Sequence, residues 1–141
     1  MDNKPLVLIS FSGTEYLDEW ELDLAFGQTT PSYLNNYISG VTCQSGFSSI
    51  YSTIRNTIIQ TLSSMNNPMV VLTGHSLGGA LATLAAYDVA TLSSQPPLVY
   101  TFASPRVFNI VGAQQLEKMV PSIYRVCLYL YLLVESITRS H

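Results

Sequence analysis

Charge is what this chain has least of. Of its 141 residues, 11% are Asp, Glu, Lys or Arg, against about 25% in an ordinary soluble domain. Six basic residues face nine acidic ones, for a net charge of -3 and a pI of about 5.1. There is no basic stripe to meet phosphates, which excludes a nucleic-acid partner bound that way. Cysteine is scarce too: Cys43 and Cys127 are the two in the sequence. Two are too few for a disulfide scaffold, and their spacing fits no metal motif. They read as two buried thiols, with a single bridge between them as the alternative. Long apolar runs are missing as well. The longest, Val126 to Val134, has nine residues, about half of what a membrane span needs, and reads as a buried strand. Only Lys4 precedes the short run Pro5-Leu-Val-Leu-Ile9, which has no small-residue cleavage site after it. No secretory leader is therefore expected, and no compartment is indicated.

What the chain does have is apolar mass. Hydrophobic residues make up 48% and the mean hydropathy is +0.27, which excludes a disordered chain. The length fits one domain, large enough to bury about 68–70% of its extended-chain surface. So little charge on so apolar a chain suits a fold whose faces are covered, or a piece of a larger one.

The order of segments sets the fold class. Pro5-Leu-Val-Leu-Ile-Ser-Phe11 is apolar without alternation, as in a strand buried on both faces. Residues 16–26 carry Tyr16, Leu17, Trp20 and Leu24 at helical spacing, and five of the nine acids crowd residues 15–23, where a helix start favours negative charge. Residues 27–40 are turn-rich and read as a loop. Phe47, Ile50, Tyr51, Ile54, Ile58 and Leu62 mark an amphipathic helix, stopped by Asn66-Asn67-Pro68. Met69 to Thr73 is a second buried strand, Leu77 to Ala90 a helix, Leu98 to Phe102 a third strand, Val111 to Met119 a short helix, and Ile123 begins a fourth strand. Strands alternating with helices predict an α/β protein with a mainly parallel sheet of about four strands and helices on both faces.

The chemistry concentrates in Val70-Val-Leu-Thr-Gly-His-Ser-Leu-Gly-Gly-Ala-Leu-Ala82. Gly74-His75-Ser76-Leu77-Gly78 matches G-x-S-x-G. With each residue type at about 7%, chance gives such a match roughly one time in twenty in this length. Its setting is more specific, because a buried strand precedes it and an apolar helix follows, which is the context of a nucleophile elbow. A serine on so sharp a turn needs neighbours without bulk, and Gly74 and Gly78 meet that need. The helix start offers free N–H groups and a positive dipole end beside Ser76, and the Leu77 N–H is aimed to hold a developing oxyanion. The bland alternative is a glycine-rich turn with an ordinary serine. A phosphate loop is disfavoured, because no G-K-[ST] ending follows.

Thr73-Gly-His-Ser-Leu-Gly-Gly-Ala-Leu-Ala82 resembles the elbow of the class 3, fungal-type lipases within the α/β-hydrolases. Other segments agree in order. Phe11-Ser-Gly-Thr14 resembles the family's F-R-G-[ST] turn, and Trp20 with Asp23-Leu24 its W-x-x-D-L lid. Thr101-Phe-Ala-Ser-Pro-Arg-Val107 resembles T-F-G-S-P-R-V, Tyr124-Arg-Val126 the next strand and, weakly, Gln44-Ser-Gly-Phe47 its H-x-G-F. The resemblance covers residues 5 to 126 and implies a partial α/β-hydrolase fold. It implies a lipase-like core over residues 1–126, trimmed at both ends, and a divergent tail over 127–141. Carried over by position, it makes Ser76 the nucleophile and Thr14 and Leu77 the oxyanion donors. Residues 15–24 become a lid, with Leu17, Trp20 and Leu24 as its apolar side; the plainer reading of Trp20 is a core residue.

A serine hydroxyl needs a base, and the base an orienting acid. In α/β-hydrolases both follow the serine, the acid before the histidine. After Ser76 the acids are Asp88, Glu117 and Glu135, and the one later histidine is His141. The resemblance puts the family's acid at the position of Tyr131, and its histidine beyond residue 141. His75, next to Ser76, reads as a packed, hydrogen-bonded residue whose side chain points away from the serine. A Glu135–His141 pair is disfavoured, because a chain end is poorly oriented for catalysis. The resemblance thus implies a serine hydrolase of carboxylic, acylglycerol-like esters that acts on lipid esters or a lipid–water interface, with no metal or organic cofactor. The alternative is a catalytically inactive, lipid-contacting homologue that lacks the acid and histidine. A thioesterase or peptidase on the same fold fits the flanking segments less well.

Overall fold

The computed structural model of the chain describes residues 4–13, 27–34 and 39–127. In chain order its strands are β1 (Leu6–Phe11), β2 (Gln28–Thr29), β3 (Cys43–Gln44), β4 (Met69–His75), β5 (Leu98–Phe102) and β6 (Ile123–Val126). Its helices are α1 (Ser45–Ser63) between β3 and β4, α2 (Leu77–Leu92) between β4 and β5, and α3 (Ile110–Met119) between β5 and β6. Four strands form one sheet in the order β1-β4-β5-β6, and every neighbouring pair is parallel. The short β2 and β3 form a separate antiparallel pair, with β2 inside the segment whose composition suggests a loop. The predicted elements at 47–62, 69–73, 77–90, 98–102 and 111–119 are all present, each within two residues of its expected bounds. The expected helix at 16–26 and the apolar run after Cys127 lie outside the described residues.

Strand order dictates where the helices go. From β1 to β4, β5 and β6 the chain always advances in the same direction across the sheet. Parallel crossovers are right-handed, so each one carries its helix over the same face. On that face Ile9, Leu72, Val99 and Ile123 form one in-register row, with Phe11, Gly74 and Thr101 beside it. They pack under α2, which is apolar nearly all round and buried from Leu77 through Val89, with Thr83 alone partly open. Among the described residues, no helix covers the other face. There Leu6, Leu8, Met69, Tyr100, Phe102, Tyr124 and Val126 are all well exposed. The apolar run of β1 therefore alternates in exposure although it does not alternate in polarity.

A buried polar cluster fixes α1 to α2. Asp88 is 1% exposed, and Arg55 donates to both its oxygens, Nε to Oδ2 at 2.7 Å and Nη2 to Oδ1 at 3.0 Å. The Tyr51 hydroxyl donates to Oδ2 at 2.9 Å. The Arg55 guanidinium lies 5.2 Å from the centre of the Tyr33 ring, and the Tyr33 and Ser48 hydroxyls are 3.1 Å apart. Arg55 is itself 26% exposed, so removing it strands the buried Asp88 charge at a cost below the about 3–5 kcal/mol of a fully buried pair. Of the two cysteines, Cys43 is buried as expected, but Cys127 is exposed and both are free. Cys127 follows β6 at the sheet edge, where no described element covers it.

This cluster makes stability sensitive to alkali. Burial is the main cause that raises the Cys43 thiol from 9.0 to about 11 and the Tyr33 phenol from 10.0 to about 12. Burial, and then the Asp88 charge, push Tyr51 higher still. The unfolded chain releases these protons at ordinary pKa values while the folded chain keeps them. Their contribution is therefore complete below about pH 9 and is lost as pH rises toward 11–12. Urea unfolding followed by circular dichroism should show a midpoint that falls above pH 9, with a shallower fall in Tyr33→Phe. A midpoint that rises or stays level through pH 11 contradicts this assignment.

Candidate active site

The G-x-S-x-G bend sits where β4 passes into α2. Strand β4 continues to His75, two residues past its expected end, and Ser76 is the N-cap of α2. Ser76 has φ 55° and ψ -120°, a region that costs a non-glycine residue about 1–3 kcal/mol. Two contacts hold it there. The Ser76 N–H donates to the Phe102 carbonyl of β5 at 2.9 Å, and the Ser76 carbonyl accepts from the Ala80 N–H at 3.2 Å. The hydroxyl makes no capping bond to the helix, and the residue is half-buried.

The flanking glycines are required by close approach. A Cβ on Gly74 would collide with the Gly78 carbonyl, and one on Gly78 would collide with the Phe11 carbonyl at the end of β1. Strand, bend, helix and the neighbouring strand thus meet backbone to backbone. Leu77 opens α2, and the amides of the first turn have no helical carbonyl to bond. These free N–H groups and the positive end of the α2 dipole lie beside Ser76.

Among the other predicted site residues, Thr14, Leu17, Trp20 and Leu24 lie outside the described residues, as do Tyr131, Glu135 and His141. Asp88 is twelve residues along α2 from Ser76, about 18 Å by helix rise, and its oxygens are taken by Arg55 and Tyr51. Glu117 is exposed on α3. His75 departs from expectation: it is exposed, not packed. As the last residue of β4 it falls on the uncovered side of the sheet, in register with Phe102. Among the described residues, no group of three or more His, Cys, Asp or Glu could hold a metal.

Two supports of the bend are not foreshadowed by the motif. The loop after β5 turns at Ala103, with φ 49°, and the Ala103 N–H donates to the Val126 carbonyl at 2.8 Å. Arg125 of β6 donates to the Ser104 carbonyl at 2.6 Å, and Ser104 packs against Gly79 in the first turn of α2. The one signal for them in the sequence is Ala103 itself, standing where the T-F-G-S-P-R-V pattern has glycine.

A parallel sheet whose inner strand ends in a strained G-x-S-x-G bend capping the next helix defines an α/β-hydrolase core. Comparison with known proteins narrows this. Residues 8–129 match the family model described as "Lipase (class 3)". The chain is 38% identical over 138 residues to phospholipase A(1) DAD1, chloroplastic, of Arabidopsis thaliana, a match covering 85% of this chain and 31% of that protein. It is 35% identical over 112 residues to secreted mono- and diacylglycerol lipase A of Penicillium cyclopium, covering 77% of this chain and 35% of the relative. The mono- and diacylglycerol lipase from Aspergillus oryzae superposes with a TM-score of 0.74 at 30% identity, covering 88% of this chain and 45% of that one. The chain therefore belongs to the class 3 lipase family. It spans about a third of the length of the curated relatives it matches.

The strain at the bend has a measurable consequence. Ser76→Gly and Ala103→Gly each relieve a left-handed φ, and the greater freedom of glycine in the unfolded chain offsets part of the gain. Each should stabilise the fold by about 1 kcal/mol in urea unfolding. A loss of about 1 kcal/mol or more in both contradicts the strained bend.

Proposed function

We propose that Ser76 is the nucleophile of a carboxylic-ester hydrolase acting on lipid esters of the acylglycerol or glycerophospholipid kind. The single observation that carries this is the bend: a strained serine whose hydroxyl makes no bond to its own helix, beside the free first-turn amides of α2. In this reading the Ser76 oxygen attacks the ester carbonyl and passes its proton to a base. The carbonyl oxygen takes up the negative charge and is held by the Leu77 N–H, with Thr14 as the second donor. The alcohol leaves, and water then releases the acyl group from Ser76. Donors preset around the oxyanion act chiefly on the transition state, where the charge develops. Leu17, Trp20 and Leu24 would cover the site in water and turn toward lipid at an interface. Residues 1–126 would form the catalytic core, with 127–141 as a separate tail. Among the described residues no helix is long and apolar enough to cross a membrane.

One observation favours a second reading for this 141-residue chain. Asp88 is committed to Arg55 and Tyr51, so it cannot orient a base at Ser76. Without base and acid, the oxyanion donors and binding alone give roughly 10³–10⁴-fold over water. The chain would then be an inactive lipid-contacting homologue.

A fluorophosphonate probe separates the two. The hydrolase reading expects label on Ser76 that Ser76→Ala abolishes and Asp88→Asn leaves unchanged. Absence of label, with binding to phosphatidylcholine vesicles retained, overturns it in favour of the inactive module.

A further inference from the structure

The stretch from Phe102 to Ser104 touches the start of α2 on both sides of Leu77. Before Leu77, the Phe102 carbonyl accepts the Ser76 N–H at 2.9 Å. After it, Ser104 packs so closely on Gly79 that a Cβ there would stand 2.8 Å from the Ser104 Cβ. The Leu77 amide lies between these two contacts, so its position follows that of the stretch. The stretch does not hold this shape unaided, because Ala103 at its centre has φ 49°, a region that residues with a side chain avoid. Strand β6 ties it at two points. The Ala103 N–H donates to the Val126 carbonyl at 2.8 Å, and Arg125 Nη2 donates to the Ser104 carbonyl at 2.6 Å. Arg125 stands beside Thr101 in the sheet register, which puts it on the face that α2 covers. Its bond to Ser104 is charge-assisted, and Ser104 is buried, where a carbonyl left without a donor is costly.

We propose that Arg125 is a positioning residue for the reaction at Ser76: its bond to Ser104 offsets the strain at Ala103 and so sets where the Leu77 N–H points. The inference rests on the reading of Ser76 as nucleophile and of the Leu77 N–H as oxyanion donor. A donor displaced by a fraction of an ångström loses much of its hold on a developing charge. Binding that precedes the reaction does not use that donor and is spared. Arg125 therefore acts on the rate of the step at Ser76 and leaves affinity nearly unchanged. Two further consequences follow from the geometry. The bond uses one N–H and not the guanidinium fork, so the ammonium of a lysine can supply it. Glycine takes a positive φ without steric penalty, so the stretch needs Arg125 less once Ala103 is replaced by glycine. Position 103 and position 125 are thus coupled, although they lie on different strands.

Inactivation of the full chain by a fluorophosphonate, resolved into kinact and KI, tests this. Arg125→Met should lower kinact about tenfold and leave KI within about twofold. Arg125→Lys should keep kinact within about threefold of the unaltered chain. The double variant Ala103→Gly/Arg125→Met, measured against Ala103→Gly alone, should show a much smaller loss than Arg125→Met shows against the unaltered chain. Circular dichroism checks that each variant folds, and Arg125→Gln serves if Arg125→Met does not. Label on Ser76 with an unchanged kinact in Arg125→Met, even where its urea midpoint falls, overturns the positioning role and leaves the nucleophile reading standing. So does a loss as deep in the Ala103→Gly background as without it. No label on the unaltered chain overturns the nucleophile reading, and this proposal with it.

Discussion

Backbone-to-backbone contact at the Gly74–Gly78 crossing is the constraint on which the rest of the molecule depends. The Gly78 carbonyl occupies the space of a Cβ on Gly74, and the Phe11 carbonyl occupies that of a Cβ on Gly78. Only with both positions bare can β4 turn straight into α2 while β1 stays paired alongside. The turn leaves Ser76 at φ 55°. The hydrogen bond from the Ser76 N–H to the Phe102 carbonyl, and behind it the tie from Arg125 to Ser104, hold that conformation from the β5 side. The strain thus falls on Ser76 and, in the loop after β5 that supports it, on Ala103.

The topology adds a second consequence. A chain that advances in one direction through four parallel strands, with right-handed crossovers, lays its helices on one face. Among the described residues the opposite face carries no helix, for the same reason that the helix face is so well filled. Both features follow from strand order, before any particular side chain is considered. The Asp88–Arg55 pair belongs to this helix layer and has no part in the bend, even though Asp88 shares a helix with the turn that follows Ser76.

Much of the molecule is legible in the sequence because its signals are local. The apolar runs at 69–73 and 98–102, and the helical spacing from Phe47 to Leu62, each reflect burial by immediate neighbours. The bend is legible because its steric demand falls on two positions a fixed distance from the serine. What escapes depends on long-range placement. An unbroken apolar run such as Leu6 to Phe11 says that a strand is apolar; it does not say which of its faces a helix reaches. The motif suggests a packed His75, yet the residue is exposed because β4 runs two residues further and sets it on the open side. Composition suggests a buried Cys127, yet it lies just past the edge strand. Asp88 follows the serine, as a catalytic acid must, but its partner Arg55 lies 33 positions earlier in sequence, beyond the reach of any local pattern.

The central claim is the backbone conformation of one residue, and solution NMR reads it directly. Coupling constants and Cα chemical shifts of isotope-labelled protein report φ at Ser76 against its neighbours. The account predicts a positive φ at Ser76, with helical values starting only at Leu77. A negative, helical φ at Ser76, continuous with α2, would contradict it.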